Sequence, residues 1–178
     1  ERDLMKLIGL DPGLRATGWG VIDVDGNNLT FVAAGTVKVP TKMSLAERLA
    51  TLYRVLNSIM ETYRPDEAAV EETFVNRNPK STLKLGQARG VVLLAPAMAD
   101  IPVSEYPANV IKKSLVGAGH AGKNQVEMMV RTLLPGASID SADAADALGV
   151  AVCHAHHRGN RARWASGVQV VHAATPAK

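Results

Sequence analysis

The chain has 178 residues, enough for one compact domain with a sizeable core, and an aromatic content of 4% means that this core must be largely aliphatic. No stretch reaches the ~18 consecutive apolar residues that a membrane-spanning helix needs, and the single cysteine, Cys153, excludes an intramolecular disulfide framework. We therefore expect a cytoplasmic protein that is not associated with a membrane.

The net charge of +3 is distributed unevenly along the chain. Residues 73–123 carry seven Lys or Arg against two Asp or Glu, whereas residues 1–72 carry eight against eleven. A concentration of cations attracts polyanions, of which nucleic acid is the most common. A solvated basic face without a partner explains the same charge, so other features must decide.

The first half of the chain predicts three strands, a helix and a fourth strand. Short turns at "DPG" and "DGNN" separate the first three apolar segments, which is typical of antiparallel hairpins. Ser44 is a suitable N-cap for an amphipathic helix that ends before Pro65. The predicted strands cover residues 5–11, 18–24, 29–39 and 67–71, and the helix covers residues 45–64.

The second half predicts helices around one further strand. A long apolar helix over about residues 81–100 is expected to be interrupted by Gly90 and Pro96. The segment "IPVSEYP" follows as the fifth strand, and three helices over residues 108–116, 123–134 and 141–156 complete the domain. Residues from Gly159 onward show no sustained periodicity of apolar residues. The prediction is one domain over residues 1–158 and a flexible tail over residues 159–178.

Two carboxylates stand at the ends of two predicted strands. This order of elements predicts an α/β fold with a five-stranded mixed sheet and helices on both faces. The first and fourth strands of such a sheet can lie side by side, so Asp11 and Glu71 would emerge at the same edge, where α/β proteins place their sites. Because Asp11 precedes Pro-Gly, turn formation is the alternative explanation for it.

The segment "SADAADAL" adds a second pair of carboxylates. Asp143 and Asp146 share one face of a helix for which Ser141 is a suitable N-cap. The helix macrodipole by itself explains acidic residues in a first turn. Together with Asp11 and Glu71, however, the pair would repel strongly unless cations bound there, and hard ions such as Mg²⁺ prefer oxygen ligands.

Five motifs, in order and with matching spacing, resemble the RuvC family of Holliday junction resolvases. They are "IGLDPGLRATGWGV", "VEETFVNRN", "LKLGQARGV", "GKNQV" followed by "VRTLL", and "ADAADALGVA", and they span about residues 7–156. The resemblance implies a ribonuclease H-like fold. It also implies an endonuclease that resolves four-way junctions in recombination and DNA repair by symmetric nicks with 5′-phosphate and 3′-hydroxyl ends.

The resemblance implies the site residues as well. Its metal ligands fall on Asp11, Glu71, Asp143 and Asp146, which would hold two Mg²⁺ per subunit, with Mn²⁺ as a possible substitute. Lys112 and Lys123 match lysines near the cleaved strand, where a cation steadies the charge that grows on the phosphoryl group.

Further contacts to DNA are expected in and around the basic middle segment. Phe74 matches a family aromatic that wedges or stacks on bases at the junction, although core packing is the alternative by residue type. The other candidate DNA contacts are Arg77, Asn78, Lys80, Lys84, Arg89 and Lys113.

The family acts as a two-fold dimer and works with a branch-migration complex of the RuvA and RuvB type. The segment "GVVLLAPAMAD" has more apolar residues than one sheet face should need, so either pairing with a second chain or full burial explains it.

Two rival functions come from other classes. Actin-like or sugar-kinase-type ATPases also begin with a strand, an aspartate and a Gly-rich hairpin, but they normally enclose ATP between two domains, for which 178 residues are too few. A catalytically inert junction-binding module would gain nothing from four carboxylates that repel phosphates.

Overall fold

The computed structural model describes residues 4–72, 78–120 and 122–167, and of residues 159–167 only the helical backbone. Within these residues the chain forms five strands and five helices. In chain order they are β1 (Met5–Asp11), β2 (Ala16–Asp25), β3 (Asn28–Lys38), α1 (Leu45–Tyr63), β4 (Glu67–Glu71), α2 (Pro79–Met98), β5 (Val103–Tyr106), α3 (Ala108–Val116), α4 (Lys123–Leu133) and α5 (Ala142–Gly167). The predicted mixed α/β architecture is confirmed.

The strands form one sheet in the order β3-β2-β1-β4-β5. β1, β2 and β3 pair as antiparallel neighbours, whereas β4 is parallel to β1 and β5 is parallel to β4. Leu10 pairs with Val70, so the next residues, Asp11 and Glu71, lie side by side at one edge of the sheet. Side chains alternate along each strand, and both carboxylates therefore belong to the face that Gly9 and Ala69 share.

A largely aliphatic core covers each face of the sheet, as the composition predicts. On one face the strands pack against α3, α4 and α5, with Leu148, Val130 and Ile111 among the buried side chains. On the other face they pack against α1 and α2, through side chains such as Leu52 and Val92. The sheet edge that bears the carboxylates is thus bordered by helices from both faces.

The closest packing in the fold is that of α5 on the sheet. A Cβ atom on Gly18 would overlap the backbone oxygen of Asp143, and one on Gly9 would overlap the backbone oxygen of Ala147. Ala144 and Ala147 on the helix side are also fully buried. Small residues on both partners bring the helix backbone against β1 and β2 and carry the start of α5 to the sheet edge.

Two helices differ from their predicted bounds. α2 is one continuous helix, so the predicted interruptions at Gly90 and Pro96 are wrong. A single glycine lowers helix propensity without breaking a helix. Pro96 lies in the last turn, where its missing N–H costs only one hydrogen bond near the helix end. α5 continues beyond the predicted end at residue 156 as far as Gly167, and the Ala and Arg residues of that stretch have high helix propensity.

No helix in the part of the chain that the structure describes has the length and hydropathy to cross a membrane.

Candidate active site

The candidate site is a cavity of about 230 Å³ at the edge of the sheet where β1 and β4 end. Its charged lining consists of two acids and two lysines, one acid from β4, one from α5, and one lysine each from α3 and α4. These four residues are Glu71, Asp146, Lys112 and Lys123, and Ala108, Ile111 and Val126 complete the wall. The cavity therefore joins negative and positive groups beside an apolar wall.

The electrostatic effect of the carboxylate group is resolved at Asp11 and Glu71. Burial raises the pKa of Asp11 to about 8, with further increases from Glu71, Asp146 and Asp143. Burial also raises the pKa of Glu71, and the charge of Asp146 adds to that shift. Without a bound cation, the Asp11 carboxyl therefore keeps its proton at pH 7.

The two lysines oppose this accumulation of negative charge. Lys123 Nζ lies 2.9 Å from Asp146 Oδ2, and this hydrogen bond and ion pair raise the pKa of Lys123. Lys112 and Lys123 both act to lower the pKa of Glu71, but the larger effect of burial leaves that pKa above its ordinary value. Two cations thus flank the carboxylates on the side of α3 and α4.

The donor set suits a hard divalent cation. Asp11, Glu71, Asp143 and Asp146 offer only oxygen ligands. Beyond the larger effect of burial, the charges of the other three acids raise the pKa of Asp11 more than Lys123 lowers it. The residues that the structure describes contain no ready-made cluster of three metal-binding side chains. Asp146 is engaged instead by Lys123.

A buried threonine, Thr17, positions the turn that follows Asp11, and it was not among the residues predicted from the sequence. Thr17 is 0% exposed, and its Oγ1 donates to Gly13 O at 2.7 Å and accepts from Gly13 N at 3.3 Å, which fixes the turn after Asp11. A threonine four residues beyond the turn glycine is the only signal in the sequence. It is too common in strands to be read as functional.

The first turn of α5 is held by β3. Ser141 Oγ accepts from Ala144 N at 3.1 Å, which confirms the predicted N-cap. Thr36 Oγ1 lies 2.6 Å from the same hydroxyl oxygen, so a hydrogen bond ties the cap to the sheet. Because Asp143 and Asp146 lie in the first turns of this helix, Thr36 and Ser141 set their place.

A buried polar cluster anchors α5 further along. The ring of His154 lies between Tyr106 and Glu67, with Nδ1 2.8 Å from the tyrosine hydroxyl and Nε2 2.8 Å from Glu67 Oε2. Arg158 Nε donates to the other oxygen of Glu67 at 2.7 Å. These contacts join α5 to β4 and β5, so the helix is fixed at two places along its length.

The predicted DNA contacts are distributed over several surfaces. Asn78 caps α2, with its Oδ1 accepting from Lys80 N at 3.0 Å and Ser81 N at 3.3 Å, and Arg89 forms an ion pair with Glu105. Lys80, Lys84 and Lys113 have exposed side chains. Phe74 and Arg77 lie outside the described residues, and the DNA contacts as a set stay predictions.

Comparison with known proteins supports the resemblance over nearly the whole chain. The family model for the crossover junction endodeoxyribonuclease RuvC matches residues 7–154. The crossover junction endodeoxyribonuclease RuvC of Rhodospirillum rubrum is 62% identical over 154 residues, which is 86% of this chain and 91% of that protein. The protein of the same name from Xanthobacter autotrophicus is 62% identical over 163 residues, 92% of this chain and 96% of that protein.

A solved structure agrees with the fold. The T. thermophilus RuvC in complex with Holliday junction substrate superposes with a TM-score of 0.83 at 33% identity, covering 88% of this chain and 96% of that chain. This match confirms the predicted ribonuclease H-like fold. With the family model matching most of the chain and relatives at this identity, the chain belongs to the crossover junction endodeoxyribonuclease RuvC family.

Proposed function

We propose that this protein resolves Holliday junctions by symmetric paired nicks that leave 5′-phosphate and 3′-hydroxyl ends. The observation that carries the proposal is the carboxylate group at the ends of β1 and β4 and the start of α5, flanked by Lys112 and Lys123, in a chain of this family. Similarity to a RuvC solved with Holliday junction substrate supports the substrate class. Such a resolvase would act in recombination and DNA repair, in the cytoplasm.

A comparison of substrates tests this function. A labelled four-way junction should be nicked at symmetric positions in the presence of Mg²⁺ and left intact in EDTA, and the nicks should be sealed by DNA ligase. A linear duplex of the same sequence should survive, and ATP should not be hydrolysed. Cleavage of the duplex at the same rate, binding without any cleavage, or ATP turnover would contradict the proposal.

Nucleases of this family depend on metal ions. We propose that Asp11, Glu71, Asp143 and Asp146 hold two Mg²⁺ per subunit, and that Mn²⁺ can replace them because it also accepts carboxylate oxygens. The bound ions would supply an activated water and neutralise charge on the phosphate.

The contributions of the protein's own groups follow from their surroundings. The Asp11 carboxyl, whose pKa is raised to about 8, must lose its proton to become a ligand, so cation binding at pH 7 should release protons. Lys123 is held at the site by Asp146, and Lys112 lies in the same cavity. Both ammonium groups are placed to steady the charge that grows on the phosphoryl oxygens.

Substitution of the cavity lysines should affect the rate of cleavage more than binding. We expect Lys112→Ala or Lys123→Ala to slow single-turnover cleavage by roughly 10²-fold while changing junction affinity by a much smaller factor. Arg77→Ala and Lys80→Ala are the comparison: each should mainly weaken binding and reduce its salt dependence by about one counterion. Equal losses of affinity in all four variants, with an unchanged cleavage rate at saturation, would contradict this division of roles.

We propose a homodimer through α2. Leu83, Leu94 and Met98 are 66%, 49% and 64% exposed on this helix, and their spacing places them on one face. Two symmetric cuts need two sites, and the described residues of each chain supply one. An exposed apolar face of this kind fits a second copy of the chain.

The α2 dimer is tested by one pair of charged substitutions. We expect light scattering to give a dimer for the unaltered protein and a monomer for Leu94→Asp. Met128→Asp is the matched control, because Met128 is 60% exposed on α4 and should not affect assembly. A monomeric unaltered protein both free and on DNA, or a dimeric Leu94→Asp, would rule out this interface.

The branch-migration complex of the RuvA and RuvB type is proposed as a partner from family membership alone.

A further inference from the structure

A basic groove of about 630 Å³ borders the β1–β2 turn that follows Asp11. Residues of the turn form one wall, and α1 and α2 supply the remainder, together with a residue of the loop before α1. The lining consists of Gly13, Leu14, Arg15, Ala16, Thr41, Arg48, Ser81, Lys84 and Leu85. We call it the turn groove.

The turn groove carries positive charge that no described carboxylate neutralises. Three of its lining residues, Arg15, Arg48 and Lys84, are cations, and none of the described lining residues is acidic. The ion pairs found among the described residues involve none of these three. The side chains of Arg15 and Lys84 are exposed and free to meet an anion.

The groove is rigidly joined to the active-site turn. Arg48 Nη2 donates to Leu14 O at 2.8 Å, and Val39 N donates to Arg15 O at 3.2 Å. The Arg48 Nε is buried and has no hydrogen-bond partner among the described residues, so one N–H of the guanidinium is left unpaired beneath the turn. The turn itself directly follows Asp11 and is fixed by Thr17.

The position of the groove complements that of the cavity lysines. Lys112 and Lys123 belong to α3 and α4, which cover one face of the sheet, whereas Arg48 and Lys84 belong to α1 and α2, which cover the other. The carboxylates lie at the sheet edge between these two basic regions. An extended polyanion that crosses the edge at the carboxylates would meet cations on both sides.

We propose that the turn groove binds the sugar-phosphate backbone of the junction arm that continues beyond the cleavage site, on the side away from Lys112 and Lys123. The proposal rests on the proposed function, since it extends the path of the same DNA. Backbone recognition is favoured because exposed cations contact phosphates without reading base sequence. Arg15 and Lys84 are the contacting residues, and Arg48 supplies charge from below the turn.

The first test measures affinity and its salt dependence. The variants are Arg15→Ala, Lys84→Ala and their double variant, with Gln substitutions at the same positions to retain the side-chain stems. Binding to a four-way junction is titrated between ~50 and ~200 mM salt without divalent metal, so that no cleavage occurs. We expect each single variant to reduce the logarithmic salt slope by about one and the double variant by about two. Arg54→Ala, an exposed cation of α1 outside the groove, should leave affinity and slope unchanged.

The second test locates the contact. It shortens one pair of junction arms while the other pair keeps its full length, and then reverses the two. The unaltered protein should lose affinity when the arms that enter the turn groove are shortened, and the double variant should not respond to that change. A double variant that binds like Arg54→Ala, or that loses the same affinity for every arm length, would overturn the proposal.

Cleavage of the full-length junction by the unaltered protein with Mg²⁺ is measured in the same series. If that cleavage fails, the proposed function fails. If it succeeds while the groove variants bind normally, only the groove assignment fails.

Discussion

Replacing Asp11 with Asn is expected to leave a folded dimer that still binds four-way junctions but cuts them at least ~10³-fold more slowly, the scale lost with a major electrostatic element. Asn serves as well as Asp in a turn, so the β1–β2 turn with its Thr17 hydrogen bonds should persist. As a metal ligand, however, Asn carries no charge. Single-turnover cleavage at saturating enzyme, beside a gel-shift titration, measures the two effects separately.

Asp23→Asn is the control for this substitution. Asp23 lies on β2 and pairs with Lys6, 2.5 Å away, and it does not belong to the carboxylate group of the site. The same change from acid to amide should leave cleavage near normal. Near-normal cleavage by a folded Asp11→Asn protein would instead show that Asp11 is only a turn former, and the proposed metal site would fail with it.

Asp11→Asn should also change the stability of the folded protein, and the size of the change should depend on pH. The pKa of Asp11 is raised from an ordinary value of 3.8 to about 8, so between these pH values the folded state keeps a proton that the unfolded state has lost. Without metal, the unaltered protein should therefore lose stability as the pH rises through this window. Asp11→Asn lacks this loss and should melt several degrees higher than the unaltered protein at pH 8, with no gain below pH 4.

Gly18→Ala should have the largest effect on the fold. The added Cβ would overlap the backbone oxygen of Asp143, and two packed backbones cannot yield as a flexible side chain would. We expect a loss of about 3 kcal/mol or more in the free energy of unfolding, because the start of α5 must move away from β2. The displacement should also reduce cleavage at temperatures where the variant is still folded, since it carries Asp143 and Asp146 with it.

Urea denaturation and cleavage assays on Gly119→Ala provide the comparison. A Cβ at Gly119 would have its nearest neighbour, Asn109 O, at 3.6 Å, which is an ordinary contact. This variant should remain within about 0.5 kcal/mol of the unaltered protein. If Gly18→Ala were equally mild, the close contact between α5 and the sheet would not be what positions the carboxylates.

Local sequence patterns were enough to predict the neighbouring positions of Asp11 and Glu71. Three antiparallel strands followed by a helix and an apolar strand can be connected in only a few sheet topologies. In one of these, β1 and β4 are parallel neighbours. The spacing of Asp143 and Asp146 likewise follows from helix geometry alone. Their roles as metal ligands rest on the family resemblance and on the electrostatics of the site.

Contacts between residues distant in sequence could not be predicted in the same way. Thr36 and Ser141 are 105 positions apart, and nothing near either residue indicates that their hydroxyls meet. The ion pair of Arg89 with Glu105 also depends on how α2 lies against β5, so a cation counted toward the basic segment proves to be paired. Likewise, Pro96 is tolerated because of its place in the last turn of α2, which the sequence pattern did not indicate.

Counting the bound Mn²⁺ determines whether the carboxylate group at the sheet edge is the metal site. Electron paramagnetic resonance reports the free ion. A titration of the protein bound to a junction whose scissile bonds resist cleavage, corrected for the ions that this junction binds alone, therefore gives the number of ions bound per subunit. We predict two for the unaltered protein and for Asp23→Asn, and a loss of tight binding in Asp11→Asn at equal junction occupancy. Identical binding curves for Asp11→Asn and the unaltered protein would show that the metal binds elsewhere.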